Sequence, residues 1–418
     1  MAGGTPPRAS DAVDEDRLWS RHMTVAEIGG TPRGGVNRQA LTVEDGHARA
    51  LIAGWASELG FACRMDAMGN MFMRRPGTDP TAAPVMSGSH TDSQPSGGRF
   101  DGMSGVLTAL EALQAAEEAG IATRRPLEAV VWTNEEGSRF LPGCMGSYAY
   151  AETDQLDRML AIEDADGISV VAAVADMKAV LPDMAACPVG GEVAAFVELH
   201  IEQGPLLEDT GNLIGVVTGI QGTRRFEVVI EGEDAHAGTT PRARRKDALS
   251  AAAAIVGGLE ELMHDPEDIV RFTVGRFDVT PNAPSVVPGR VVFSIDFRHP
   301  ELAVLDSRGD RVEGVCQAHA RGCEVTVKPV VRTSPIAFEG LVPDAIQATA
   351  ESLGLPNMRI FSGASHDAQH LFKICPTGMI FVPCERGISH SEVENAKPGD
   401  LAAGARVLAD VIVELANR

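Results

Sequence analysis

Three histidines and one pair of adjacent glutamates stand where the sequence pattern ends its buried strands. In "VVWTNEEGSRF", residues 130–140, an apolar run stops at Glu135 and Glu136. Neighbouring carboxylates at the end of a buried strand repel each other and lose hydration, so the pair needs something positive beside it. In "SGSHTDSQPSGGRFDGMSG", residues 87–105, His90 and Asp92 stand just past a short strand, and Asp101 lies in a loop with Gly97, Gly98, Gly102 and Gly105. Open α/β sheets place ligands at such strand ends, and such glycines let backbone approach a ligand. "FVELHIEQGP" sets His200 at or just past a strand, and "CERGISHSE" sets His390 on a glycine-containing loop. Imidazole with carboxylate is ligand chemistry for zinc, manganese, cobalt or nickel. Each piece alone has a plainer reading: an exposed Glu pair at a turn, a surface or capping histidine, an acidic turn. The chain has only eleven histidines, and three of them at strand ends beside carboxylates favour a metal centre.

The elements that must position these groups alternate. From Thr42 to about Val217, helical stretches such as "LTVEDGHARALIAGWASELG" and "SGVLTALEALQAAEEAG" are interleaved with short strands such as "APVMSGSH". Val106, Leu110 and Leu113 mark one apolar face of the second helix. This is the pattern of a mostly parallel sheet covered by helices. Between about Gly219 and Val331 the character changes to half-exposed alternating strands, "RRFEVVIEGE", "VVFSIDFRHP" and "CEVTVKPVV", around the Ala-rich helix "KDALSAAAAIVGGLEELMH". That segment reads as a small α+β sandwich. From Pro335 the first style returns. The expected fold class is therefore α/β: a metal-binding domain of residues 21–218 and 332–418 with a mostly parallel sheet, interrupted by an inserted α+β sandwich of residues 219–331.

Residues 1–20, acidic and without an apolar signal core, read as a disordered leader. A formal net charge of −22 argues against nucleic acid and anionic membrane surfaces as partners. There is no apolar run long enough for a transmembrane helix. Seven scattered cysteines without a CxxC pair favour reduced thiols and a cytoplasmic location, each thiol a small core residue before it is a ligand.

The motifs "GSHTDSQPSGGRFDG", "WTNEEGSRF", "ELHIEQGP", "DAHAGTTP" and "GISHSE", in this order, resemble the amidohydrolase branch of the M20 metallopeptidase family. That branch includes N-carbamoyl-L-amino acid hydrolases, β-ureidopropionases and allantoate amidohydrolases. The resemblance implies two divalent metal ions (Zn, Mn, Co or Ni). Asp101 would bridge them, with Glu136 and His390 completing one site and His90 and His200 the other. In the peptidase branch the position of His200 is more often a carboxylate. The resemblance also makes Glu135 the general base for an attacking water and Asp92 the group that orients His90. His236 would stabilise the oxyanion in the partner subunit's site of a homodimer, so the sandwich would serve dimerisation. Asn282 and Arg298 would grip the carboxylate of a small-molecule substrate, with further contacts from Gln203, Gly363 and Ala364. "SGASHDAQH" departs from the usual loop in carrying Ser365 for glycine, which puts a positive φ there in doubt, and His366 and Asp367 would hold the loop together. The basic cluster "RARRK", residues 242–246, reads as a solvated face or subunit contact.

"HTDSQPSGG" and "WTNEEGSRFLPGCMGS" look closer to the carbamoylase and ureidopropionase members. The expected activity is hydrolysis of the ureido C–N bond of an N-carbamoyl amino acid. The alternatives are an allantoate amidohydrolase, a peptidase or N-acyl amino acid deacylase, and a catalytically silent metal-binding protein.

Overall fold

The computed structural model describes residues 7–418. They form two compact units, one ending at Thr218 and resuming over Phe338–Arg418, the other Gly219–Ala337. The second crossing falls a few residues later than the change in sequence character. The strand Glu324–Thr333 stays paired with Gly222–Glu231 as far as Thr333 opposite Thr223, and Ile336–Ala337 pairs with Ile220 and Gly219.

The large sheet has ten strands and is mixed. Its centre is four parallel strands in the order Thr377–Val382, Ala195–Ile201, Val85–His90, Leu127–Trp132. Every residue of these four is buried, which is why they read as apolar runs and not as alternations. Antiparallel strands flank the centre, Met71–Arg75 and Ala62–Met65 on one side and Ile214–Ile220 on the other.

Two expectations are corrected together. The helix Met103–Glu118 was read as apolar on one face, yet residues 103–116 are buried all round, Glu111 included. What covers Glu111 is the stretch taken for a disordered leader. Residues 1–6 lie outside the described residues, but Ala9–Ala12 form a 3-10 turn and Glu15–Ala26 a helix that buries Leu18, His22 and Val25. The Arg17 guanidinium forks onto Glu111 at 2.9 and 2.6 Å, and the Asp14 N–H donates to the same carboxylate at 2.9 Å. A buried carboxylate needs such partners, and these come from far away in the chain.

The second unit is a five-stranded antiparallel sheet. Arg271–Thr273, Arg290–His299, Gly222–Glu231 and Glu324–Thr333 lie side by side, and Phe277–Thr280 also pairs with Arg290–His299. The helices Ala248–Met263, Leu302–Gly309 and Val312–Ala318 share its core, through Ile255, Leu259, Leu305 and Cys316 against Phe293, Ile295 and Phe297. Among the described residues no helix is long and apolar enough to cross a membrane.

Candidate metal centre

Parallel pairing aligns the carboxyl ends of the central strands. His90 stands opposite Trp132, so the turn carrying Glu135 and Glu136 begins beside it. His200 stands opposite Phe381 on the next pair, and the segment leading to His390 starts just beyond Val382. Asp101 arrives on the loop before the helix Met103–Glu118. Five side chains distant in sequence thus meet at one sheet edge, the place where open α/β sheets hold ligands.

They form two ligand groups, His90–Asp101–His200 and Asp101–Glu136–His390, with all donor atoms of each group within 4.8 Å of one another. Asp101 belongs to both. Its Oδ1 lies 3.1 Å from His200 Nε2 and 3.9 Å from His90 Nε2, while its Oδ2 lies 3.2 Å from His390 Nε2. Glu136 Oε2 is 3.3 Å from the same His390 nitrogen. His90 and His200 place Nδ1 at 2.8 and 2.9 Å from the carbonyls of Asp92 and Ile201. A carbonyl accepts only, so each Nδ1 carries the proton and each Nε2 offers its lone pair to the centre.

The electrostatics fit a cationic occupant. Burial, then Asp101, pushes Glu136 up to about 8. Glu135 is held well above the carboxylate range by burial, then by Asp367 and Glu136. Burial would lower His200, but the hydrogen bond and charge of Asp101 outweigh it and hold the imidazole at about 9. Without cations, protons on these groups are what relieves a buried ring of carboxylates. Two divalent ions would take over that role, held by the two ligand groups that have Asp101 in common. The donor set therefore fits a dinuclear divalent-metal centre.

Glycine matters here for a reason the sequence did not disclose. Gly102 has φ +64° and ψ −49°, outside the range of L residues, and a Cβ on it would fall on the His90 ring. A Cβ on Gly98 would fall on the Glu394 carboxylate. Both glycines admit side chains of the protein itself.

Asp92 also works differently from the expectation. Its backbone carbonyl, not its carboxylate, meets His90 Nδ1 at hydrogen-bond distance; the carboxylate stays 3.8 Å away. That carboxylate accepts instead the N–H groups of Glu135 and Glu136 at 3.3 and 3.2 Å, fixing the turn. Glu135 Oε2 lies 3.4 Å from His90 Nε2, and the Cys144 thiol donates to its other oxygen at 3.2 Å. Gln203 donates its amide to Asp101 Oδ2 at 2.9 Å and to Ser389 at 3.0 Å, so it supports the carboxylate the two groups share. The sequence reading also missed Gln94, whose amide reaches Glu136 Oε2 at 2.8 Å, and Glu394, which accepts the Asp101 N–H at 3.0 Å. Their only signal was position within the "HTDSQ" segment and just past "GISHSE".

In the substrate-loop candidate, Gly363 is exposed and Ala364 half-buried, and Ser365 does not take a positive φ. His366 packs edge-on against His200, ring centres 4.6 Å apart, and accepts or donates at Ser362 Oγ over 2.9 Å. Asp367 accepts from Ser147. Neither is in a ligand group.

His236, Asn282 and Arg298 belong to the second unit. His236 is exposed, and its Nδ1 accepts the N–H groups of Gly238 and Thr239 at 3.0 and 3.1 Å. Its neutral ring therefore carries the proton on Nε2, as a donor. Arg245, from the basic cluster, ties this loop by donating to the carbonyls of Ala237 and Thr240. Asn282 is exposed with φ +54°. Arg298 is half-buried, with its fork on Asp296 at 3.0 and 3.3 Å.

Two ligand groups sharing one carboxylate, with a further glutamate beside them at a sheet's carboxyl edge, define a metal-dependent hydrolase. Residues 86–414 match the peptidase family M20/M25/M40, and the chain belongs to that family. It is 39% identical over 416 residues to the N-carbamoyl-L-amino-acid amidohydrolase of Rhizobium meliloti, covering 98% of this chain and 99% of that protein. It is 36% identical over 403 residues to the allantoate amidohydrolase of Bacillus subtilis, covering 94% and 95%. A solved structure of an amidase of the hydantoinase/carbamoylase family from Burkholderia multivorans superimposes with a TM-score of 0.92 at 44% identity, over 97% of this chain and 99% of that one. Within the family the chain stands in the amidohydrolase branch, hydrolases of C–N bonds other than peptide bonds.

Proposed function

We propose that this protein hydrolyses the ureido C–N bond of an N-carbamoyl amino acid, releasing the amino acid, ammonia and carbon dioxide. The observation that carries the reading is the sharing of Asp101 between two ligand groups, with Glu135 Oε2 3.4 Å from His90 Nε2. The mixed imidazole–carboxylate set suits zinc, manganese, cobalt or nickel, which when bound would polarise the substrate carbonyl and acidify water. Glu135 takes the proton of the attacking water and returns it to the departing nitrogen. Asp92 supports that role by fixing the backbone of the Glu135–Glu136 turn. The exposed His236, with its proton on Nε2, is the donor for the developing oxyanion in the partner subunit of a homodimer. Asn282 and Arg298 take the substrate carboxylate, the guanidinium trading part of its contact with Asp296 for the ligand. Gly363 and Ala364 are further substrate contacts, and Gln203 meets the substrate through its carbonyl oxygen. The seven free thiols support a reducing, cytoplasmic setting.

Allantoate is the second reading, supported by the Bacillus subtilis relative. The test incubates metal-loaded protein with several N-carbamoyl-L-amino acids, N-carbamoyl-β-alanine, allantoate and an N-acetyl amino acid, and measures ammonia. Release from the N-carbamoyl compounds is expected. Release from allantoate alone would select the second reading, and deacylation of the acetyl compound without ammonia would overturn both. Glu135→Gln should keep its metal and lose about 10²–10⁴-fold in kcat; substantial turnover in the metal-replete variant would remove Glu135 from its role.

A further inference from the structure

Glu394 is fully buried and lies outside both ligand groups, yet both of its oxygens act on Asp101. Oε1 accepts the N–H groups of Phe100 at 2.8 Å and Asp101 at 3.0 Å, gripping the main chain that carries the bridging carboxylate. Oε2 meets Ser389 Oγ at 2.9 Å, and that hydroxyl also lies 3.0 Å from Asp101 Oδ2. Ser389 precedes His390, so one side chain ties the Asp101 loop to the His390 segment. Gly98 leaves room for the carboxylate to enter.

We propose that Glu394 is a positioning residue for the bridging ligand, setting the Asp101 main chain through Oε1 and the Asp101 Oδ2 direction through Ser389. The inference rests on the two-metal reading above. Its consequence is unequal for the two sites. Oδ1 faces His200 and His90, whereas Oδ2 faces His390 and carries the Ser389 contact. Loss of the Glu394–Ser389 limb therefore weakens the Glu136–His390 site more than the His90–His200 site.

Hydrogen-bond inventory distinguishes the variants. In Glu394→Ala two buried N–H groups lose their acceptor and Ser389 loses its anchor. In Glu394→Gln the amide oxygen still accepts both N–H groups. The new NH₂ donates to Ser389 Oγ, whose single proton is then committed to Asp101 Oδ2. Ser389→Ala removes only the side-chain limb.

The experiment titrates metal-free wild type and each variant with zinc alone, reading stoichiometry and affinity by calorimetry, with the thermal midpoint of each metal-free protein measured alongside. Glu394→Ala and Ser389→Ala are expected to weaken one of two zinc ions by roughly 10–100-fold, the usual effect of losing a partner of a ligand. Glu394→Gln is expected to stay within a few-fold of wild type. Unchanged zinc affinity in Glu394→Ala would overturn the proposal, and a lowered midpoint with that result would mark Glu394 as a packing residue only. So would a loss in Glu394→Gln as large as in the alanine variant. If wild type itself takes up neither zinc nor, in a repeat titration, manganese, cobalt or nickel, the two-metal reading falls and this proposal with it; two zinc ions bound in Glu394→Ala with wild-type affinities would sink this proposal alone.

Discussion

Gly102→Ala is the smallest change that should empty part of the centre. The glycine has φ +64° and ψ −49°, and three ring atoms of His90 lie 2.3–2.4 Å from where a Cβ would stand. Carbon atoms in contact settle about 3.5–4.0 Å apart, so an added methyl requires the ring or the loop to yield by roughly 1 Å. The ring has little freedom, because it is buried and its Nδ1 is tied to the Asp92 carbonyl at 2.8 Å. The loop has little freedom either, because the Gly102 N–H lies 3.2 Å from His200 Nε2. A misplacement of about 1 Å at a reacting centre costs on the order of 100-fold in rate, or about 2.7 kcal/mol of transition-state stabilisation. The forbidden backbone adds about 1–3 kcal/mol of global destabilisation, a fall of about 2–4 °C in thermal midpoint per kcal/mol. Elemental analysis after dialysis, kcat/KM and a melting curve together test this. The expected variant is folded, a few degrees less stable, short of one metal ion and at least about 100-fold slower. A Gly102→Ala protein with two ions and wild-type kcat/KM would refute the geometric argument.

Arg298→Ala should raise KM for a carboxylate substrate by roughly 10–100-fold, the worth of a charge-assisted fork, with a smaller effect on kcat. An equal loss for a neutral amide analogue would show that the carboxylate is not what it holds. His22 supplies a pH dependence away from the metal centre. It is buried against Phe100, and burial pushes it from 6.5 down to about 3. Between those values the unfolded chain binds a proton that the folded chain refuses. The contribution is therefore complete above about pH 6.5 and lost as pH falls, about 1.4 kcal/mol per unit. His22→Gln should flatten the acid side of the stability profile by about 2–3 kcal/mol at pH 4.5 relative to wild type; parallel denaturation profiles would contradict this.

That five candidate ligands stand at strand ends and in one glycine loop was legible because each rests on a local pattern. A polar His or Glu directly after an apolar run marks a strand end, and an Asp among glycines marks a loop built for close approach. The resemblance to a known family then grouped them. Local pattern failed where the partner is remote. Asp92 sits two residues from His90, and the resemblance makes it the group that orients that ring, without saying whether its carboxylate or its main chain makes the contact. The fold turns that carboxylate toward the Glu135 and Glu136 amides. Gln203, next to a ligand motif, is a substrate contact by resemblance; that its amide also donates to Asp101 Oδ2 is a contact no local pattern shows.

Alternation of apolar runs with helical spacing determined by itself that the chain is an interrupted α/β protein with strand-end imidazoles and carboxylates. Hydropathy and period are properties of neighbouring residues, so they are carried in the string. Which oxygen of Asp101 faces which histidine was decided only where the ends of the parallel strands meet the loops carrying Asp101 and His390. That Glu394 grips the Asp101 loop, and that an acidic N-terminal stretch folds over Glu111, was likewise decided in three dimensions. A hydrogen bond joins whatever donor and acceptor the packing brings within about 3 Å, and that choice is made between segments that no local pattern connects.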